Sequence, residues 1–60
     1  MNSGQFRRYL AKQGCTFEPA KGGHVEVRRK GKVSYLPMHG GKKQLGTGLM
    51  NKIKKDLGIQ

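Results

Sequence analysis

Apolar side chains in this chain change their spacing from helical to alternating and back again. Phe6 and Leu10 stand four residues apart, with Tyr9 or Gln13 flanking them, while Arg7, Arg8 and Lys12 fall off that stripe. Such spacing predicts an amphipathic helix from Asn2 or Ser3 to Gln13, with Ser3 placed to cap it and Gly14 to stop it. Cys15-Thr16-Phe17-Glu18 then alternates and Pro19 closes it, which predicts a short strand. Beyond the loop Ala20–Gly23, the segment His24-Val25-Glu26-Val27-Arg28 alternates more cleanly. Val25 and Val27 share one face, and His24, Glu26 and Arg28 share the other. Arg29-Lys30-Gly31-Lys32 reads as a tight hairpin connection, and Val33 to Leu36 as a third strand ended by Pro37. The register of that strand is open: Val33 and Tyr35, or Ser34 and Leu36, could face inward.

A polar, glycine-rich connection from Met38 to Gly46 leads to a last helix starting near Thr47, whose hydroxyl could cap it. Its inward stripe is Leu49 or Met50, Ile53 and Leu57, and Gly58-Ile59 reads as a Schellman ending. The element order is α-β-β-β-α, an α+β fold with two helices on one face of a three-stranded antiparallel sheet. Phe6, Leu10, Phe17, Val25, Val27, Ile53 and Leu57 are the expected core, and the second sheet face is expected in water.

Composition narrows the function. Sixty residues suit a single domain spanning 1–60, too small for a large cofactor pocket. Cys15 stands alone, which rules out an intrachain disulfide, and no clustered Cys/His metal motif is present. No cofactor or metal is therefore expected. A small domain without paired cysteines, signal core or apolar span points to the cytoplasm and away from membranes. Thirteen Lys and Arg residues face three acids, Glu18, Glu26 and Asp56, for a net charge of +10. A charge of that size destabilises a compact chain by self-repulsion, so a phosphate backbone or an acidic protein is the expected partner.

Against that background His24 is the side chain best suited to proton transfer. Cleaving RNA without a metal needs a base for the ribose 2′-proton, an acid for the leaving 5′-oxygen and donors for the charge on phosphorus. Histidine, with an ordinary pKa of about 6.5, takes both protonation states near neutrality. Lys21, Arg28, Arg29, Lys30, Lys42 and Lys43 are the candidate phosphate contacts, with RNA lying on a basic, open sheet face. Gly22 and Gly23 would let an RNA backbone approach closely, or simply make a turn. His39 is a candidate second proton carrier if the Pro37 turn brings it near His24, and otherwise a structural loop residue.

The α-β-β-β-α order matches the double-stranded RNA-binding domain architecture. Within it, Lys21-Gly22-Gly23-His24 resembles the Gly-Ser-His element of HicA toxins, the mRNA interferases of HicA–HicB toxin–antitoxin pairs. Leu36-Pro37-Met38-His39-Gly40 resembles the exit from that family's third strand. Gly46-Thr47-Gly48-Leu49 through Ile53-Lys54-Lys55-Asp56-Leu57-Gly58-Ile59 resembles its closing helix, and Phe6-Arg7-Arg8-Tyr9-Leu10 with Gln13-Gly14 its opening one. The resemblance implies endoribonuclease activity on mRNA, with His24 at the catalytic position and a HicB antitoxin covering the active site. Gly23 and Val25 depart from the Ser and second His that many members carry.

Each reading has a plainer competitor. His24 could be an ordinary solvent-facing strand residue, and the hairpin cations an ordinary solvated turn. Tyr35 could pack in the core or stack on an unpaired base. Cys15 reads as a small core residue, and Met38 and Met50 as packing. The rival function is a non-catalytic RNA-binding module of the same fold; a membrane-active peptide is disfavoured by the short helices.

Overall fold

The computed structural model describes residues 1–38 and 43–59. Helix α1 spans Ser3–Lys12, strands β1, β2 and β3 span Thr16–Pro19, His24–Arg29 and Lys32–Pro37, and helix α2 spans Thr47–Asp56. The sheet is antiparallel in the order β1-β2-β3. The α-β-β-β-α expectation holds, and with it the α+β, double-stranded-RNA-binding-domain-like architecture.

Local chemistry explains where the elements stop. Asn2, not Ser3, caps α1. Its side chain accepts from the Gln5 amide, and the Gln5 side chain accepts from the Asn2 amide, a reciprocal capping box. Ser3 is buried instead, its hydroxyl donating to the Pro37 carbonyl at 2.8 Å and so tying α1 to the end of β3. Both helices end in Schellman turns. The Cys15 and Gly14 amides return to Leu10 and Ala11, and the Ile59 and Gly58 amides to Lys54 and Lys55. Gly46 occupies the N-cap of α2, so the Thr47 hydroxyl does not cap it. The β2–β3 connection is only Lys30-Gly31, with both residues at positive φ as a two-residue hairpin turn requires.

Strand pairing settles the third strand. Phe17, Val27 and Ser34 lie abreast on the helix side, as do Pro19, Val25 and Leu36. Ser34 and Leu36 are buried, whereas Val33 and Tyr35 are exposed. The buried Ser34 hydroxyl is satisfied by Asp56 at 3.0 Å. The core comprises Phe6, Leu10, Cys15, Val27, Leu36, Leu45, Ile53, Leu57 and Ile59. Phe17 and Val25, expected inside, are half-buried because β1 is a short edge strand with little above it. The Arg7 guanidinium covers Phe17, 4.4 Å from its ring centre. Burial pushes the Cys15 thiol up, with Arg29 pulling partly against it, which keeps the thiol protonated at neutral pH.

The two helices run side by side in the same direction. Their N-termini meet at one end of the sheet, where Ser3 touches Pro37 and the Leu45 amide donates to the Met1 carbonyl. Their C-termini meet at the hairpin end, where Arg29 donates to the carbonyls of both Gln13 and Leu57. No described helix is long and apolar enough to cross a membrane.

Candidate nucleic-acid site at the His24 end of the sheet

His24 is the first residue of β2 and is exposed on the open face, opposite Pro37. A single turn of 3-10 helix, Lys21–Gly23, delivers the chain to it. Gly22 and Gly23 both adopt positive φ, 69° and 73°, a region costly for other residues. This backbone turns the Lys21 and Gly22 carbonyls toward the imidazole, whose Nδ1 lies 3.3 Å and 3.1 Å from them. A carbonyl oxygen can only accept, so Nδ1 carries the proton and Nε2 holds the lone pair in the neutral ring. The backbone is anchored as well: the Ala20 amide donates to the His24 carbonyl, and the Met38 amide to the Gly23 carbonyl. The result is a fixed, exposed imidazole with a defined tautomer, able to take a proton at Nε2 and to spread the resulting charge onto two carbonyl dipoles.

The remaining candidates divide between the two ends of the sheet. Lys21, Gly22 and Gly23 adjoin His24, and Lys43 is exposed just before Gln44, which bridges to Asn2 at the same end. Lys30 tops the opposite hairpin, six residues along β2 from His24, or about 20 Å away. Arg29 points to the helix side and donates to Gln13 at 2.9 Å and Leu57 at 3.0 Å, so its guanidinium clamps the two helix C-termini. Arg28 is on the open face, but its Nε is held by Glu26 at 2.7 Å. That bond holds the Glu26 carboxyl below its ordinary range, helped by the Tyr35 hydroxyl, which donates to it at 3.4 Å. His39 and Lys42 lie outside the described residues.

The open face itself is not basic. Its cross-strand rows are Thr16–Arg28–Val33, Glu18–Glu26–Tyr35 and His24–Pro37. Two carboxylates and one guanidinium make it slightly acidic with His24 neutral. The expectation of a cationic sheet face fails because β2 alternates: Arg28 faces out, Arg29 faces in, and Lys30 has left the strand. Six described cations lie on the helices, Arg29, Lys30 and Lys32 at the hairpin end, and Lys21 and Lys43 at the His24 end. Both helix N-termini add their partial positive charge at that end, and neither first turn holds an acid. Among the described residues no three His, Cys, Asp or Glu side chains gather as metal ligands.

Fold and site together define a small α+β protein of the double-stranded-RNA-binding-domain type, with a loop-anchored histidine on the open sheet face. Comparison with known proteins narrows the class. Residues 4–59 match the family model described as HicA toxin of bacterial toxin-antitoxin. The chain is 42% identical over 60 residues to the "Probable mRNA interferase HicA" of Pseudomonas fluorescens (strain Pf0-1), covering 100% of this chain and 98% of that protein. The chain belongs to the HicA toxin family. No solved structure matches it.

Proposed function

We propose that this protein is the toxin of a type II toxin–antitoxin system, a metal-independent endoribonuclease that cuts messenger RNA in the cytoplasm and so halts translation and growth. The observation that carries the reading is the His24 ring, held through Nδ1 by the Lys21 and Gly22 carbonyls with Nε2 left as its basic atom. Family membership and the relative's name as an mRNA interferase support it.

In the proposed step, neutral His24 takes the ribose 2′-hydroxyl proton at Nε2 while the 2′-oxygen attacks phosphorus. The bond from phosphorus to the 5′-oxygen breaks, and a proton goes to that oxygen, from the imidazolium or from a second carrier. The products are a 2′,3′-cyclic phosphate and a 5′-hydroxyl. Lys21 lies within two peptide bonds of the carbonyl that anchors the ring and supplies positive charge at the phosphate. Gly22 and Gly23 keep side chains out of the approach. A positioned proton-transfer group contributes about 10²–10⁴-fold. RNA thus enters at the loop end of the sheet, where Lys21, Lys43 and both helix N-termini converge, and not flat across the acidic centre of the open face. A HicB-type antitoxin would cover this end and neutralise part of the charge.

The test is cleavage of a defined RNA by the purified protein in excess chelator, with end-group analysis of the products. Cyclic phosphate termini from the wild type, and none from His24→Ala, are expected. RNA binding by both proteins with cleavage by neither would identify a non-catalytic RNA-binding module instead.

A further inference from the structure

The face opposite His24 combines an apolar cleft with half of the described Lys and Arg side chains. Between α1 and α2 lies an open groove of about 280 Å³ lined by Met1, Phe6, Tyr9, Met50, Asn51 and Lys54. Phe6 is its floor, 2% exposed, and its ring stacks on Tyr9 with centroids 5.7 Å apart. Tyr9 and Met50 are half-buried walls, Met1 is 50% exposed at the rim, and the Lys54 ammonium sits 5.9 Å from the Tyr9 ring centre. Lys54 lines this cleft, and the helices that form it also carry Arg8, Lys12 and Lys55, while Arg7 covers Phe17 and Lys52 pairs with the one helix carboxylate, Asp56. Asp56 is already bound to Lys52 and Ser34, so it offsets little of that charge toward an incoming partner.

We propose that the α1–α2 cleft is a docking site for a protein segment bearing carboxylates around one or two apolar anchor side chains, presented by the antitoxin. The proposal rests on the toxin reading above for the identity of the partner, but not on the chemistry of His24. Charge complementarity selects an acidic partner, since the helix layer is strongly cationic while the open sheet face is not. The apolar lining selects protein over RNA. The Tyr9 ring is stacked on Phe6 and attended by Lys54, so it offers no free face for a base. A phosphate backbone would meet the cations yet leave the half-buried Met50 and the exposed Met1 wet. An apolar centre within a charged rim is instead the anatomy of a protein interface, and methionine walls adapt to an inserted side chain. The volume lies just below the roughly 300–1,000 Å³ of small-molecule sites, which suits anchor side chains better than a free ligand. Because the cleft and His24 occupy opposite faces of the sheet, this contact would let the antitoxin hold the toxin without covering the imidazole itself.

Met50→Glu and Lys54→Glu test it. Each introduces a like charge for the incoming carboxylates, and Met50→Glu also removes an apolar wall. The probe is a purified HicB-type antitoxin, titrated calorimetrically into wild type and variants, with RNA cleavage by the free toxins measured in parallel. Lys54→Glu alters a partly exposed side chain and keeps the experiment decisive if Met50→Glu folds poorly. The expected result is antitoxin affinity at least tenfold weaker, with the cleavage rate of the free toxin within twofold of wild type. Unchanged antitoxin affinity would overturn the proposal. So would weaker RNA cleavage with antitoxin binding intact, which would make the helix layer an RNA surface. If wild type cuts no RNA while the variants still weaken the antitoxin complex, the nuclease reading fails and the docking site stands.

Discussion

The two ends of the sheet hold similar residues and put them to opposite uses. At the hairpin end, Arg29 is drawn to the C-terminal carbonyls of both helices, where the negative ends of two macrodipoles meet. Lys32 reaches the same place, its Nζ 2.8 Å from where a Cβ on Gly58 would stand. At the loop end the helix dipoles present positive charge. Lys21 has no ion pair among the described residues, and the carbonyls near it are turned to an imidazole. Arg29 at the hairpin end is consumed in holding the two helix C-termini, whereas Lys21 at the loop end remains available to a phosphate. A run of Lys and Arg therefore reports a binding surface only after the carbonyls within its reach have been counted.

Several substitutions break or sharpen this contrast. The largest effect on stability is expected from Arg29→Met. It removes a charge-assisted hydrogen bond to the part-buried Leu57 carbonyl, worth about 1.5–3 kcal/mol, and an exposed one to Gln13, and should lower the unfolding free energy by that order. Cleavage per folded molecule should be unchanged, which denaturant titration alongside an RNA assay would check. Loss of activity without loss of stability would move Arg29 from the clamp to the site. Gly22→Ala should be milder for the fold and harsher for function. A non-glycine residue at φ 69° costs about 1–2 kcal/mol, and the Gly22 carbonyl would swing away from Nδ1. The expected outcome is a reduced cleavage rate with an altered pH–rate profile. An unchanged profile would show that the carbonyl does not orient the ring.

The smallest effect belongs to Asp56, whose carboxyl is held below its ordinary range by hydrogen bonds from Lys52 and then Ser34. With the folded pKa depressed, the unfolded chain binds the extra proton. This contribution is therefore complete above the ordinary carboxylate pKa of about 4 and is lost as pH falls through the lower folded value. Asp56→Asn should melt below wild type at neutral pH, and the gap should close as pH is lowered toward 2. A gap that persists to pH 2 would mean that Asp56 acts through packing alone.

Much of this architecture was legible in the chain because periodicity and glycine carry it. Phe6 and Leu10 mark the inner side of α1, Gly14 and Gly58 occupy the left-handed stops, and β2 alternates without ambiguity. The third strand was legible but its register was not, since Val33, Tyr35 and Leu36 are all apolar or aromatic around one serine. The observed register buries Leu36 together with Ser34, whose hydroxyl is satisfied by a partner 22 residues away, Asp56. Both helix caps fell one residue earlier than read, because Asn2 and Gly46 take the N-cap positions and leave Ser3 and Thr47 within the helices. The site was half legible. His24 and its glycines stood out by type and spacing, but the Nδ1 contacts depend on the path of the Gly22 backbone. The division of Arg28, Arg29 and Lys30 among open face, helix clamp and hairpin tip is a matter of strand register that charge counting does not contain.

Cleavage of one defined RNA, in chelator, by His24→Ala and Arg29→Met side by side, each normalised to its folded fraction, separates the two ends of the sheet. His24→Ala should lose at least about 10²-fold in rate with an unchanged melting temperature, and Arg29→Met should keep its rate while melting earlier. Full cleavage by His24→Ala would contradict a catalytic role for His24.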